Sequence, residues 1–175
     1  MNLYVALAGG PVIVFDVLGF PSQIPTTGNW HEIVSGGLPQ TPWDIEADGM
    51  NVQLTDEATG EYDEYDLNGN VQQGSGPIAA LPVGFVEVPG GINPIVTSRS
   101  PSSSVYELGG FTLPGGFPNV NQPFGIRYDK ANGYVYIVNY GNSTITRYDT
   151  GGNQVSLPAG AFGGMANPLE IAIVP

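Results

Sequence analysis

The sequence contains no cysteine, one histidine and four basic residues in 175 positions. Without cysteine there are no disulfides, thiolate nucleophiles or cysteine-based zinc sites, and the redox compartment leaves no mark on the chain. A lone His31 excludes an all-histidine metal site, and a two-histidine dyad, within one chain. Lys130, Arg99, Arg127 and Arg147 stand against 16 acidic residues, for a formal net charge of −12. That balance argues against nucleic acid, whose phosphates need clustered cations, and against an anionic membrane surface. No apolar run approaches the roughly 18 residues of a membrane helix. The first ten residues lack the positive n-region of a secretory signal. The expected protein is soluble, in a compartment the sequence leaves open. A sustained helical periodicity is also missing, so almost no helix is expected.

Glycine and proline are plentiful. The 26 Gly and 16 Pro occupy about a quarter of the chain, while 41% of residues are hydrophobic and 10% aromatic. Apolar surface is sufficient for a core, and the turn-formers point to many short strands. Their spacing repeats. An aromatic residue, an acid, two further residues and Gly occur at Phe15–Gly19, Tyr65–Gly69, Tyr106–Gly110 and Tyr148–Gly152. A second pattern, Pro-x-x-Ile/Phe, occurs at Pro42–Ile45, Pro82–Phe85, Pro123–Ile126 and Pro168–Ile171. Each proline motif precedes an aromatic-acid motif by roughly 25 residues, and the period is roughly 40 to 50, in the range of propeller repeats.

Between the motifs lie β-type runs. The clearest are 125–129, 134–138 and 144–148, joined by the hairpin-type connections Lys-Ala-Asn-Gly and Asn-Tyr-Gly-Asn-Ser. A second copy reads 43–47, 51–55 and 61–65, a degenerate third 84–88, 94–97 and 103–106. Weak fourth strands follow, as at 154–157 and 30–34. Four-stranded units at this period predict an all-β fold, a β-propeller with four blades per chain. The expected blades are 41–80, 81–121, 122–167, and one built from 168–175 together with 1–40, all in one domain of residues 1–175.

The stretches Pro123–Asp129, Gly133–Asn139 and Gly141–Gly152 resemble an NHL repeat, as does Pro42–Gly69; the other two copies match in part. The resemblance implies a propeller and no particular activity, since propellers host many functions. Placing Pro175 before Met1 brings the shared blade into register. From Val174 to Asp16 there are then 17 positions, against 18 and 20 in the two clear copies. Two closures are open, a four-bladed ring from one chain or an eight-bladed ring from a homodimer, with the homodimer favoured.

In propellers, ligands usually meet the channel mouth, on the side of the loops between second and third strands. Residues expected there are Trp43, Asp44, Phe124 and Glu170 at the starts of first strands, with Arg99 and Tyr140 in the loops. Aromatic rings there can stack on a sugar or clamp a peptide. Tyr140 is expected to be the most exposed of the aromatics. Asp44 and Glu170 are the candidates for a hard cation such as Ca²⁺ through oxygen ligands; otherwise no cofactor is implied. The repeated acids Asp16, Asp66, Glu107 and Asp149 are expected to accept turn N–H bonds. Asp66–Asn70 superficially resembles a calcium loop, but position 77 is Pro, where the downstream acid would stand, so it reads as a turn. His31 reads as a surface or packing residue, and no catalytic residues are identified. The expected function is non-enzymatic: a binding or structural propeller recognising a glycan, peptide or protein. The alternatives are a metal-assisted lyase or hydrolase, using Asp44, Glu170 and His31, and a viral assembly protein.

Overall fold

A computed structural model describes residues 2–6, 12–16, 30–32, 41–47, 50–66, 70–74, 81–89, 94–100, 104–108, 116–158, 162 and 164–173. Every regular element among them is a strand, as the missing helical periodicity implied. They form four antiparallel sheets in chain order. The first sheet joins β1 (Asn2–Ala6), β2 (Val12–Asp16) and β3 (Trp30–Glu32). The second joins β4 (Pro42–Ala47), β5 (Asn51–Asp56), β6 (Glu61–Asp66) and β7 (Val71–Gly74). The third joins β8 (Pro82–Val86), β9 (Ile95–Ser98) and β10 (Ser104–Glu107). The fourth joins β11 (Pro123–Asp129), β12 (Tyr134–Asn139), β13 (Thr144–Tyr148) and β14 (Gln154–Val155). The chain divides into two compact units, Met1–Pro77 and Ile78–Pro175.

Each sheet with a proline-led first strand begins the same way. The ladder register shifts between Pro42 and Ile45, between Pro82 and Gly84, and between Pro123 and Ile126. Proline cannot donate to a ladder and is confined to strand starts and bulges, where the backbone re-aims a side chain. The third residue past the proline then pairs in the same register throughout: Ile45 with Leu54, Phe85 with Val96, Ile126 with Ile137.

In the second unit the core lies between its two sheets. Val86 and Ile95 of the third sheet pack with Ile126, Val135, Ile137 and Tyr148 of the fourth, and with Phe117 of the connection. In the first unit Val52, Leu54, Tyr62 and Tyr65 are fully or almost fully buried. Alternation explains the strand choice: β13 exposes or half-exposes Thr144, Ile145 and Arg147, and buries Thr146 and Tyr148.

The third aromatic-acid motif stands out of phase with the others, and the turn after Glu107 lies outside the described residues. Tyr65 and Tyr148 pair with Val52 and Val135, two residues before the strand positions opposite Ile45 and Ile126. In the third sheet that place belongs to Leu108, whose N–H donates to the Pro94 carbonyl and which is 3% exposed. Tyr106 lies two residues earlier, opposite Val96. The motif at Tyr106 is therefore out of phase, and leucine fills the apolar slot. Asp66 and Asp149 accept turn N–H bonds as expected. Asp66 Oδ1 accepts from Asn70 N at 2.9 Å, and Asp149 Oδ1 accepts from Gly151 N and Asn153 N, both at 2.9 Å. These donors hold the Asp149 carboxyl below the usual carboxylate range. The backbones of Asp16 and His31 sit on β2 and β3, and their side chains lie outside the described residues.

The expected strand beginning at Pro168 is not among the strands of the described residues. A backbone bond joins it to the fourth sheet, from Gly125 N–H to the Leu169 carbonyl, 2.9 Å. Val174 lies outside the described residues.

Candidate functional site

The connection from second to third strand is latched in the same way in three sheets. The residue just after the second strand donates its N–H to the carbonyl of the residue just before the proline. The pairs are Glu57 to Thr41 (3.0 Å), Arg99 to Leu81 (3.2 Å) and Tyr140 to Gln122 (3.1 Å). The last residue of each second strand adds a polar clamp. Asp56 Oδ1 accepts from Thr41 N, Ala58 N and Thr59 N. Asn139 Oδ1 accepts from Asn121 N at 2.9 Å, and its amide donates to Thr146 Oγ1 at 3.0 Å. Ser98 Oγ accepts from Ser100 N. Arg99, Tyr140 and Glu57 are therefore structural equivalents, each presented by a fixed backbone.

Three of the expected site residues meet in the second unit. The Arg99 guanidinium lies over the Phe124 ring, 5.8 Å from its centroid. The Phe124 and Tyr140 rings stand 5.2 Å apart and 41° tilted. Phe124 is 7% exposed, so its neighbours present the outer surface: Arg99 from the preceding sheet and Tyr140 from its own. Exposed amides surround them, from Asn121, Gln122, Asn142 and Asn167. Asn167 N–H donates to Ser143 Oγ at 3.1 Å.

Glu170 comes close to the same row. Its carboxylate lies against Gly125, where an added Cβ would stand 2.5 Å from Oε1. It pairs with Arg127 at 3.5 Å, and its side chain is 53% exposed. An exposed pair of this kind contributes at most about 1 kcal/mol. Trp43 and Asp44 belong to the first unit. Trp43, at 45% exposure, and not Tyr140, is the most exposed of the three aromatics, because Tyr140 packs on Phe124. Asp44 is buried; its Oδ1 accepts from Ile45 N and its own N–H donates to Thr55 Oγ1. Among the described residues no group of three or more His, Asp or Glu is placed to hold a metal ion.

The sequence pointed to Arg99, Phe124 and Tyr140 by their motif positions, but not to the clamp residues Asp56, Ser98 and Asn139. The only signal for these is a polar side chain ending an otherwise β-type run, 14, 16 and 16 positions past the proline.

The acidic face of β6 carries a pH effect. Burial, and then Glu61, push the Asp63 carboxyl up to about 6, against the Tyr65 hydroxyl that donates to it at 3.4 Å. The folded state favours the protonated acid. Its stabilisation is complete below the ordinary value of 3.8 and is lost as pH rises through about 6. The conversion of ~1.4 kcal/mol per unit, reduced because the group is only half-buried, leaves about 1 kcal/mol. Asp63→Asn is expected to be more stable than the native protein by about that amount at pH 8, and nearly unchanged at pH 4. Urea titration at the two pH values measures this, and equal shifts at both would refute the assignment.

No protein-family model and no curated protein matches the chain. Solved structures do match. A nidogen/laminin complex aligns over 91% of this chain and 59% of its own, with TM-score 0.68 and 17% identity. The Cps50 (Swd1) β-propeller domain of Myceliophteria thermophila aligns over 97% and 58%, with TM-score 0.62 and 12% identity. The fold is a β-propeller. The computationally designed Ika8 protein aligns over 99% of this chain and 50% of its own, with TM-score 0.64 and 13% identity. This propeller chain thus spans about half the length of these three matched chains. Among the described residues no helix is long and apolar enough to cross a membrane.

Proposed function

We propose that this propeller is a non-enzymatic binding module that recognises a glycan, peptide or protein on the face of the latched loops, and that its repeats are of the NHL-like kind. The observation that carries the reading is the stack of Arg99, Phe124 and Tyr140. A buried ring is held between two half-exposed side chains on fixed backbone, in a chain whose sequence shows no catalytic constellation. Planar groups with polar tips give contact area at low entropic cost, and the surrounding amides can donate to and accept from hydroxyl or peptide groups. The charge of −12 disfavours polyanionic ligands.

Glycan and peptide arrays probed with the native protein test the reading. Binding to a neutral member is expected, and Arg99→Ala and Tyr140→Ala should each weaken it about tenfold or more, as for a central contact residue. Trp43→Ala, measured in parallel, tests whether the first unit takes part. Silence on both arrays, or undiminished binding by the Arg99 and Tyr140 variants, would overturn it.

A further inference from the structure

The charge of −12 is not spread evenly along the chain. Residues 1–77 hold eleven of the sixteen acids and neither a lysine nor an arginine. Residues 78–175 hold the other five acids and all four cations, so the unit that carries Arg99, Phe124 and Tyr140 is close to neutral. Within that unit the charges are also sorted along the strands. Glu107 pairs with Ile95 and Asp129 with Tyr134, while Glu87 and Asp149 follow the ends of β8 and β13. All four stand at the ends of their sheets away from Ser98 and Asn139, the strand ends that lead into Arg99 and Tyr140. That separation is roughly 10 to 20 Å at strand spacing, beyond the Debye length of about 8 Å at physiological salt. The fifth acid, Glu170, pairs with Arg127 at 3.5 Å.

The main chain of the row is already committed. Arg99, Tyr140 and Gly141 donate their N–H groups to the Leu81, Gln122 and Asn121 carbonyls, and Asn167 donates to Ser143 Oγ. The Phe124 carbonyl accepts from Thr97 Oγ1 at 2.6 Å. An extended peptide is commonly held by main-chain pairing with an open strand edge, and these donors are spent within the fold. What the row presents is side-chain chemistry: the Arg99 guanidinium, the Tyr140 phenol and the exposed amides of Asn121, Gln122 and Asn142. Such groups fit a sugar, whose hydroxyls both donate and accept and whose ring face is apolar.

We propose that the row selects a glycan bearing a single carboxylate, a sugar of the uronic-acid type, with the carboxyl group taken by the Arg99 guanidinium and the sugar ring set against Tyr140. The inference rests on the binding reading above and names the ligand within it. A guanidinium carries five N–H donors in a planar fork that matches a carboxylate, so a contact inside the fold leaves donors for a ligand. The Phe124 ring beneath it, 5.8 Å from its carbon, fixes where the fork stands. The neutral amides around it then meet the hydroxyls. Polyanions stay disfavoured, because one cation answers one carboxylate and further ones meet Glu170 and the net charge of −12.

The test compares neutral hexose oligosaccharides with counterparts in which one hexose is replaced by its uronic acid, as glucuronate for glucose. Peptides differing by Gln and Glu are measured beside them. The uronate member is expected to bind about tenfold more tightly than its neutral counterpart, as for one charge-assisted contact. Arg99→Ala should erase that preference, and Arg99→Lys, which keeps the charge without the fork, should keep only part of it. A second measurement needs no variant. Raising salt from about 0.05 to about 0.5 M should shrink the preference of the native protein and leave its neutral affinity nearly unchanged. Neutral sugars bound as well as uronates, or a preference that Arg99→Ala or salt leaves intact, overturns this inference and leaves the binding reading standing. Binding to peptides without binding to any sugar overturns the glycan assignment alone. Silence from every sugar and peptide overturns both readings.

Discussion

Gly84→Val is expected to destabilise the protein by about 3 kcal/mol, at the upper end of the cost of overfilling a packed interior. The reason is the backbone on the far side. A Cβ at this position would stand 2.6 Å from the Phe124 carbonyl oxygen, 2.8 Å from Thr97 Oγ1 and 3.3 Å from Ile126 Cγ2. The hydroxyl is itself committed, donating to the Phe124 carbonyl at 2.6 Å and lying 3.2 Å from that of Gly84. Neither neighbour can yield without opening the join between the third and fourth sheets. Gly116→Ala is the natural comparison. Its φ is +63°, with nothing within 4 Å of an added Cβ, so only the left-handed backbone resists and about 1 kcal/mol is expected. Chemical denaturation of both variants measures the difference. A Gly84→Val loss no larger than that of Gly116→Ala would mean that the two sheets do not approach this closely.

The second large effect belongs to Tyr148. It is fully buried, meets Phe117 edge-on at 5.0 Å and donates its hydroxyl to the Pro118 carbonyl at 2.7 Å. It packs with Ile126, Val135 and Ile137 of its own sheet and Val86 and Ile95 of the neighbouring one. Tyr148→Ala should cost about 4 kcal/mol, as for other large aromatic truncations. Tyr148→Phe keeps the ring and removes one hydrogen bond, for about 1 kcal/mol. Since whole-domain stability is of the order of 5–15 kcal/mol, the alanine variant is expected to melt far below the native protein while the phenylalanine variant remains folded. Equal costs for the two would place the tyrosine's value in its hydroxyl and contradict the packing account.

These two positions also show what the sequence discloses. Strand identity was legible because alternation and turn residues are local: Thr144–Tyr148, bounded by Gly141 and Asp149, needs no distant contact to read as a strand. The repeat was legible because proline and the turn acids each have a backbone reason to recur. The third copy misled because one slot accepts any large apolar residue, and Leu108 fills it as well as tyrosine does. The close approach at Gly84 was not legible. Gly84 reads as the start of a β-type run, and nothing local says that the next first strand lies against it. Likewise, Phe124 was marked as a site residue, but its burial beneath Arg99 depends on two residues 25 positions apart that no local rule connects.

The latch between each second strand and the residue before the proline has a consequence for how such a surface changes over time. The latch itself uses only a main-chain N–H at positions 57, 99 and 140, and the side chains there are an acid, a guanidinium and a phenol on the same geometry. The peptide units spell this part of the scaffold, and the same latch accepts three different side-chain chemistries at those places.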